Sequence, residues 1–427
     1  NIAQSGLIGS GLPSHKITYS TQASVYEIGD KDKQVQVRLS WSDAGGISVN
    51  KIYTFHRGSY LIDITYEINN SSGNRIEPHA YYQWLRDGKA PLGDPKFVNT
   101  YTGPAIYTDK EKFHKVNFSD IDKGKDDYPK QSTDGWVAML QHYFFSAWLP
   151  AGNVQREFYT KKVGDLYTAG VIIPLGAIES GAKSSTTMAL YAGPQEQDKI
   201  SKLAPGLDLV VDYGMLTVIA VPIFWIVQLI FKLVQNWGIA IILLTILIKL
   251  AFYPLSAKSY RSMAAMRIVS PKLQKLKEQY GDDRQRLHQA MMELYKTEKI
   301  NPLGGCLPVV VQMPVFIALY WVLLYSVEMR QAPFMAWIQD LSAPDPYYIL
   351  PIIMGITMLV QTKLNPTPPD PIQAKVMMMM PIVFSVFFFF FPAGLVLYWV
   401  VNNVLSIAQQ WQITRSIEHA RAAKGHG

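Results

Sequence analysis

Cysteine is almost absent from the 427 residues: Cys306 stands alone. That excludes an intrachain disulfide and a metal site built from a cysteine cluster. No nucleotide-binding motif occurs either. The one glycine-rich stretch, "GLIGSG" at 6–11, has no lysine and no strand-to-helix context, and reads as a flexible start. His56, His79, His114 and His142 show no ligand spacing and read as ordinary sheet or loop residues, so no metal and no cofactor are expected. The chain opens at Asn1 without a basic segment followed by an apolar one. If its first half lies outside the cytoplasm, the targeting segment is expected ahead of Asn1. The long apolar runs of the second half lack a further residue type, for none of them contains aspartate or glutamate.

What is present divides the chain at about Pro205. Up to there the sequence is of ordinary polarity, and beyond it long apolar runs dominate, as for one soluble domain followed by a membrane domain. The net charge of +7 resides mainly between and after the apolar runs, so its first meaning is topological. In the first half "KITYSTQASVYEI", "KQVQVRLSWSD", "ISVNKIYTFHRGSYLIDITYEINNSSG" and "GWVAMLQHYFFSAWL" alternate apolar and polar residues and are broken by Gly, Asn and Asp clusters. Such strands without intervening amphipathic helices predict an all-β, antiparallel sandwich over 1–205.

The segment 206–237 is read as a linker and an interfacial amphipathic helix, because Gln228, Lys232 and Gln235 interrupt its apolar run; the stretch 216–227 also allows a span. Five spanning helices are expected at 238–255, 307–327, 348–361, 376–391 and 395–410, a core ending near 412. The loop 256–302 carries Lys258, Arg261, Arg267, Lys272, Lys275, Lys277, Arg284, Arg286, Lys296 and Lys299, whereas 328–347 carries Arg330 against Glu328, Asp340 and Asp345. The first loop is therefore cytoplasmic and the second external, which puts the basic tail 413–427 inside and the β domain outside. Within 257–300, Val269, Leu273, Leu276 and Tyr280, then Leu287, Met291 and Leu294, repeat at three and four. Gly281 is placed to end one helix and Asp282 or Asp283 to cap the next, giving a helical hairpin. Its charges are a solvated face or a docking surface, with Arg267, Lys272, Lys275, Lys277, Arg284 and Arg286 as the candidate contacts.

"TILIKLAFYPL" at 245–255 puts Lys249 inside an apolar run, roughly 10 Å from the cytoplasmic end at 1.5 Å per residue. A charge there costs on the order of 3 kcal/mol unless it snorkels, pairs or faces water. With no carboxylate in any span, snorkelling and a hydrated cavity remain. Thr245 lies one turn before Lys249, and Gln312 lies in the second span ahead of Pro314, whose ring frees a carbonyl. Trp399, Asn402, Asn403, Ser406, Gln409 and Gln410 form one polar stripe in the last span. These residues either bridge helices or line a hydrated pocket. The third and fourth spans, at roughly 21 and 24 Å, are shorter than a hydrocarbon core of about 30 Å and favour local thinning. "VMMMMPIVFSVFFFFF" at 376–391 adds an adaptable apolar face.

With these residues assembled, the chain resembles the YidC family of membrane protein insertases, in the Gram-negative form with a large periplasmic domain. The resemblance is carried by "KLAFYPLSAKSYRSMAAMR", "INPLGGCLPVVVQMPVFIALYWVL", "VEMRQAPFMAWIQDLSAPDPYYILPIIMG" and "FPAGLVLYWVVNN", and extends through "DGWVAMLQ" and "GPQEQDKISKLAPGLDL" into the β domain. It implies a periplasmic β-supersandwich, a further span ahead of Asn1, and an α-helical membrane core of five helices around a hydrophilic groove. Clients would be nascent membrane proteins, with the Sec translocon, the ribosome, the signal recognition particle pathway and membrane lipids as partners in the bacterial inner membrane. It implies no enzyme chemistry and no small-molecule substrate. Lys249 stands where the family's best-known pattern has arginine; lysine keeps the charge and loses the planar fork. The groove set is then Lys249, Thr245, Gln312, Trp399, Asn402, Asn403 and Ser406, and the sliding surface Met313, Pro314, Phe387 and Phe391. Two other classes stay open: a polytopic transporter or channel using the same polar residues, without visible half-repeats, and a sugar-binding β domain, without a close acid and base pair.

Overall fold

Period-two alternation builds the first half of the chain. In the computed structural model, which describes all residues except 90, 92–99, 282, 299–306, 366–370 and 425–427, the chain divides into two units, Asn1–Val211 and Asp212–Gly427. The first contains strands β1 (Ile2–Ile8), β2 (Ser20–Thr21), β3 (Gln34–Ser42), β4 (Ile47–His56), β5 (Leu61–Asn70), β6 (His79–Asp87) and β7 (Gly103–Thr108). They continue as β8 (Lys112–Lys115), β9 (Gln131–Ser132), β10 (Trp136–Leu140), β11 (Phe144–Leu149), β12 (Arg156–Val163), β13 (Leu166–Pro174) and β14 (Lys183–Pro194). The short helices α1 (Phe118–Asp122) and α2 (Gln197–Ile200) complete the unit.

A five-stranded sheet runs β1-β6-β13-β12-β9 and a nine-stranded sheet β2-β3-β4-β5-β14-β11-β10-β7-β8, with antiparallel pairing throughout. Trp84 of β6 stacks on Trp148 of β11, ring centroids 5.2 Å apart, so the two sheets share one core. Two expectations fail here. The opening residues are a strand because Leu7 is buried and β1 pairs with β6 along its length. "KITYSTQASVYEI" yields only the two-residue β2, its side chains being largely exposed and without a core to face.

Polar groups also bridge the sheets. The buried Lys51 of β4 donates from Nζ to the Ser5 carbonyl of β1 at 3.0 Å and lies over the rings of Tyr53 and Tyr66. Arg156, also buried, donates to the carbonyls of Val154, Gly135, Pro150, Thr133 and Gly152, so that one guanidinium fixes two loops.

In the second unit, α3 (Thr217–Val234) ends at Gln235, whose φ of 54° turns the chain into α4 (Trp237–Ala251). Asn236 caps α4 by accepting from Ile239 N at 3.0 Å. The stretch Gly214–Val234 is long and apolar enough to cross a membrane, while α4 joins α5 (Tyr253–Tyr280) through a 68° bend at Phe252. The hairpin's first helix therefore begins at Tyr253 and runs unbroken past the expected start of the loop. Pro254 fits the first turn, where no amide donor is required.

After α5 come α6 (Arg284–Thr297), α7 (Leu307–Tyr325), α8 (Ile349–Leu364), α9 (Pro371–Phe387) and α10 (Ala393–Lys424). Gly281 follows α5 with helical dihedrals, and Asp283 is the cap of α6, accepting from Arg286 N at 3.0 Å. Asp282 and Cys306 lie outside the described residues. Val269 and Leu273 are buried in the hairpin, whereas Leu276, Tyr280, Leu287, Met291 and Leu294 are half-buried. Helix α10 packs against α4, α5, α7 and α8, and α8 packs against α9.

Burial lowers the Lys51 pKa from 10.5 to about 8. Between those values the unfolded chain binds the proton more tightly, so stability of the β unit rises with pH. Urea unfolding of the full chain in detergent should show a gain of about 2 kcal/mol from pH 8 to 9.5, and Lys51→Met should flatten it.

Candidate functional site

Where α4, α5, α7, α8 and α10 converge they leave a cavity of about 460 Å³. Lys249, near the end of α4, reaches it from one wall. Its Nζ donates to Ser406 Oγ of α10 at 2.8 Å, and Ser406 Oγ donates in turn to the Asn402 carbonyl at 2.7 Å, one turn back on the same helix. The ammonium thus points sideways across the helix pair. Among the described residues no carboxylate forms an ion pair with Lys249, and Ser406 is its one hydrogen-bond partner.

Gln312 of α7 donates to Asn402 Oδ1 at 3.3 Å, closing the opposite wall. Tyr260 of α5 interacts through its hydroxyl with Ser406, and Tyr398 of α10 with Gln312. Trp399 also lines the cavity, in edge contact with Phe316 at 4.7 Å, and its buried indole Nε1 has no hydrogen-bond partner among the described residues. A cavity with one fixed cation, several neutral dipoles and apolar walls can attract an acidic group while offering it little competing counter-charge.

Six of the seven expected groove residues line this space: Lys249, Gln312, Trp399, Asn402, Asn403 and Ser406. Thr245 is not brought to the lining. It is buried, and its hydroxyl donates back to the Ile241 carbonyl at 2.6 Å, which satisfies it within its own helix. The stripe on α10 also ties helices together. Asn403 donates to Thr357 of α8 at 3.2 Å, Gln410 to the Leu364 carbonyl at 3.1 Å, and Gln409 to the Tyr253 carbonyl at 3.5 Å.

Met313 lines the cavity and is 46% exposed, so it stands at the cavity's apolar edge beside the exposed Pro314. Phe387 is exposed, as are Met378, Met379, Met380 and Val383 of α9, while Phe391 makes tilted ring contacts with Phe387, Phe388 and Tyr320. Sequence reasoning missed Ser256, Ser259, Tyr260 and Met263 of α5 and Met358, Gln361, Thr362 and Asn365 at the end of α8. For the α5 residues a signal lies in "PLSAKSYRSM", where hydroxyl-bearing residues recur at three and four across the boundary between the span ending at 255 and the hairpin beginning at 257. In the hairpin, Arg267, Lys272, Lys275 and Arg286 are exposed, Lys277 is half-buried, and the Arg284 side chain lies outside the described residues. Lys272 pairs with Glu298 and Arg286 with Asp283.

Comparison with known proteins places the chain. The family model of the 60Kd inner membrane protein matches residues 229–420, and that of the YidC periplasmic domain matches residues 1–226. A membrane protein insertase YidC of Nitrosospira multiformis is 61% identical over 99% of this chain and 74% of its own length. That of Aromatoleum aromaticum is 61% identical over 98% of this chain and 77% of its own. A solved structure of an active YidC insertase aligns over 95% of this chain and 82% of that one, with 18% identity and a TM-score of 0.47.

Because its hydroxyl is satisfied within α4, Thr245→Val should leave client insertion within about twofold of wild type, whereas Gln312→Leu should lower it by roughly tenfold through the loss of one cavity dipole. Protease protection of a single-span client in liposomes measures both.

Proposed function

The chain belongs to the YidC family of membrane protein insertases, and from that premise we propose how its cavity acts. The protein is an insertase of the inner membrane with a periplasmic domain, not an enzyme, and its clients are nascent membrane proteins. A client presents its polar, often acidic, flanking segment to the cavity, where Lys249, Gln312, Trp399, Asn402, Asn403 and Ser406 form a hydrophilic groove, with Thr245 behind it. The client's apolar segment slides along Met313, Pro314, Phe387 and Phe391 into lipid. The carrying observation is the Lys249 ammonium on the cavity wall with a neutral hydroxyl for its partner.

No bond is made or broken. The fixed charge and the neutral dipoles replace part of the water that a carboxylate leaves behind, which lowers the cost of its crossing. The short helices α8 and α9, 16 and 17 residues long, favour a thinned bilayer beside the cavity. Energy comes from partitioning of the apolar segment and from the membrane potential acting on its charges.

The finer organisation belongs to the same proposal. Residues 1–205 are a periplasmic β-supersandwich, 206–237 a linker and interfacial helix, and 238–412 a five-span core. The hairpin 257–300 and the tail 413–427 are cytoplasmic. The alternation of the basic loop 256–302 with the acidic loop 328–347 supports this orientation. Exposed cations of the hairpin, Arg267, Lys272, Lys275 and Arg286, with Lys277 and Arg284, offer a docking surface for the ribosome and the signal recognition particle pathway. The Sec translocon and membrane lipids are the remaining partners.

In liposomes carrying the full chain, Lys249→Ala should lower protease-protected insertion of a client with an acidic leading segment by about tenfold, and Lys249→Arg should retain it. Equal insertion by all three proteins would remove the charge from the mechanism. Loss confined to a deletion of 259–298 would transfer the role to the hairpin.

A further inference from the structure

A lysine within an apolar helix bundle has two ordinary fates. It snorkels along its stem to the nearest interface, or it pairs with a carboxylate. Lys249 instead reaches across to a hydroxyl, and no carboxylate among the described residues pairs with it. Its Nζ sits 2.8 Å from Ser406 Oγ on the neighbouring helix, and the hydroxyl is itself held, 2.7 Å from the Asn402 carbonyl. An ammonium has three donors, and Ser406 accepts from one of them. Both residues line the cavity, and a further dipole of its wall, Gln312, donates to Asn402 Oδ1.

We infer that Ser406 is a positioning residue that sets the charge selectivity of the groove: it holds the Lys249 ammonium at the cavity wall through a neutral oxygen, so the positive charge stays available to a client carboxylate. This rests on the groove reading given above and adds the reason for a serine at this position. A carboxylate at 406 would hold the amine more firmly and cancel its charge. An apolar side chain would leave the stem free to swing toward the helix end. The hydroxyl fixes the position and keeps the charge. The back-bond to Asn402 supplies the remaining requirement: with the hydroxyl proton committed there, both lone pairs of the oxygen can accept, one from Lys249 and one from the Tyr260 hydroxyl.

The test compares two single-span probes that differ only in their leading segment, one bearing aspartates and one bearing asparagines at the same positions. Each is added to liposomes containing the full chain, and the ratio of protease-protected acidic probe to neutral probe is measured. Because both probes use the same preparation of each variant, a fold defect divides out. Ser406→Ala should lower the ratio by about tenfold, the value of one charge-assisted hydrogen bond, and Ser406→Thr should restore it. Ser406→Asp should bring it down to that of Lys249→Ala, because its carboxylate occupies the ammonium. A wild-type ratio in Ser406→Ala and Ser406→Asp, together with a lowered one in Lys249→Ala, would overturn the role of Ser406 alone. A wild-type ratio in Lys249→Ala would overturn the groove-charge reading beneath it.

Discussion

One ammonium, unpaired with any carboxylate among the described residues, organises the helical unit. Lys249 lies two residues before the end of α4, where the chain bends by 68° into α5. The bend brings Ser256, Ser259 and Tyr260 of α5 to the same cavity that Lys249 enters from α4. Without it, α5 would continue the line of α4 and these hydroxyls would spiral around a straight helix. Helix α10 supplies the opposite wall, and its contacts with α4, α5, α7 and α8 make it the post against which the cavity is held open. The cost of keeping a charge here, on the order of 3 kcal/mol in a bilayer, is offset only if the surrounding helices keep the space hydrated and supply dipoles.

The polar stripe on α10 does two jobs at different heights. Toward Trp399, Asn402 and Ser406 it faces the cavity, and toward Gln409 and Gln410 it ties α10 to backbone carbonyls of α5 and α8. Asn403 belongs to both, lining the cavity while donating to Thr357. Interhelical bonds of this kind contribute roughly 1 kcal/mol each in a membrane, enough in series to stop the helices collapsing onto the void. Helix-bridging bonds and a polar cavity lining, alternatives when each residue is considered singly, occur together on this one stripe.

Much of this was legible in the sequence, and the gaps have identifiable causes. A strip of polar residues on one helix and a lysine without acids in any span point to a polar cavity, and the cavity is present. Thr245 was misplaced because a threonine on the lysine's side of a helix can satisfy itself against the carbonyl one turn earlier, which spacing cannot reveal. The α5 hydroxyls were missed because the apolar pattern stops near Leu255 and the helix does not: α5 runs on through a polar sequence to Tyr280. In the β unit, "GLIGSG" has three glycines and a single β-branched residue, Ile8, a weak strand signal, yet its first three residues end β1, which pairs fully with β6 because its register buries Leu7. The Trp84–Trp148 stack that joins the two sheets spans 64 residues of sequence and leaves no local trace.

The neutral partner of Lys249 bears on release as well as capture. Two opposite charges at 4 Å attract by about 4 kcal/mol at an effective dielectric of 20 and by about 1 kcal/mol in bulk water. On the proposed reading, a client carboxylate is held while the cavity is partly dry and let go once water reaches it. A guanidinium fork would hold the same carboxylate with two parallel bonds, and the single-point contact of lysine favours departure. An insertase gains nothing from tight binding, since each client must leave into lipid within one passage. Attraction of a few kcal/mol, extinguished by hydration, lowers the barrier to entry without creating a trap. This is the balance that a lone lysine on a serine hydroxyl provides.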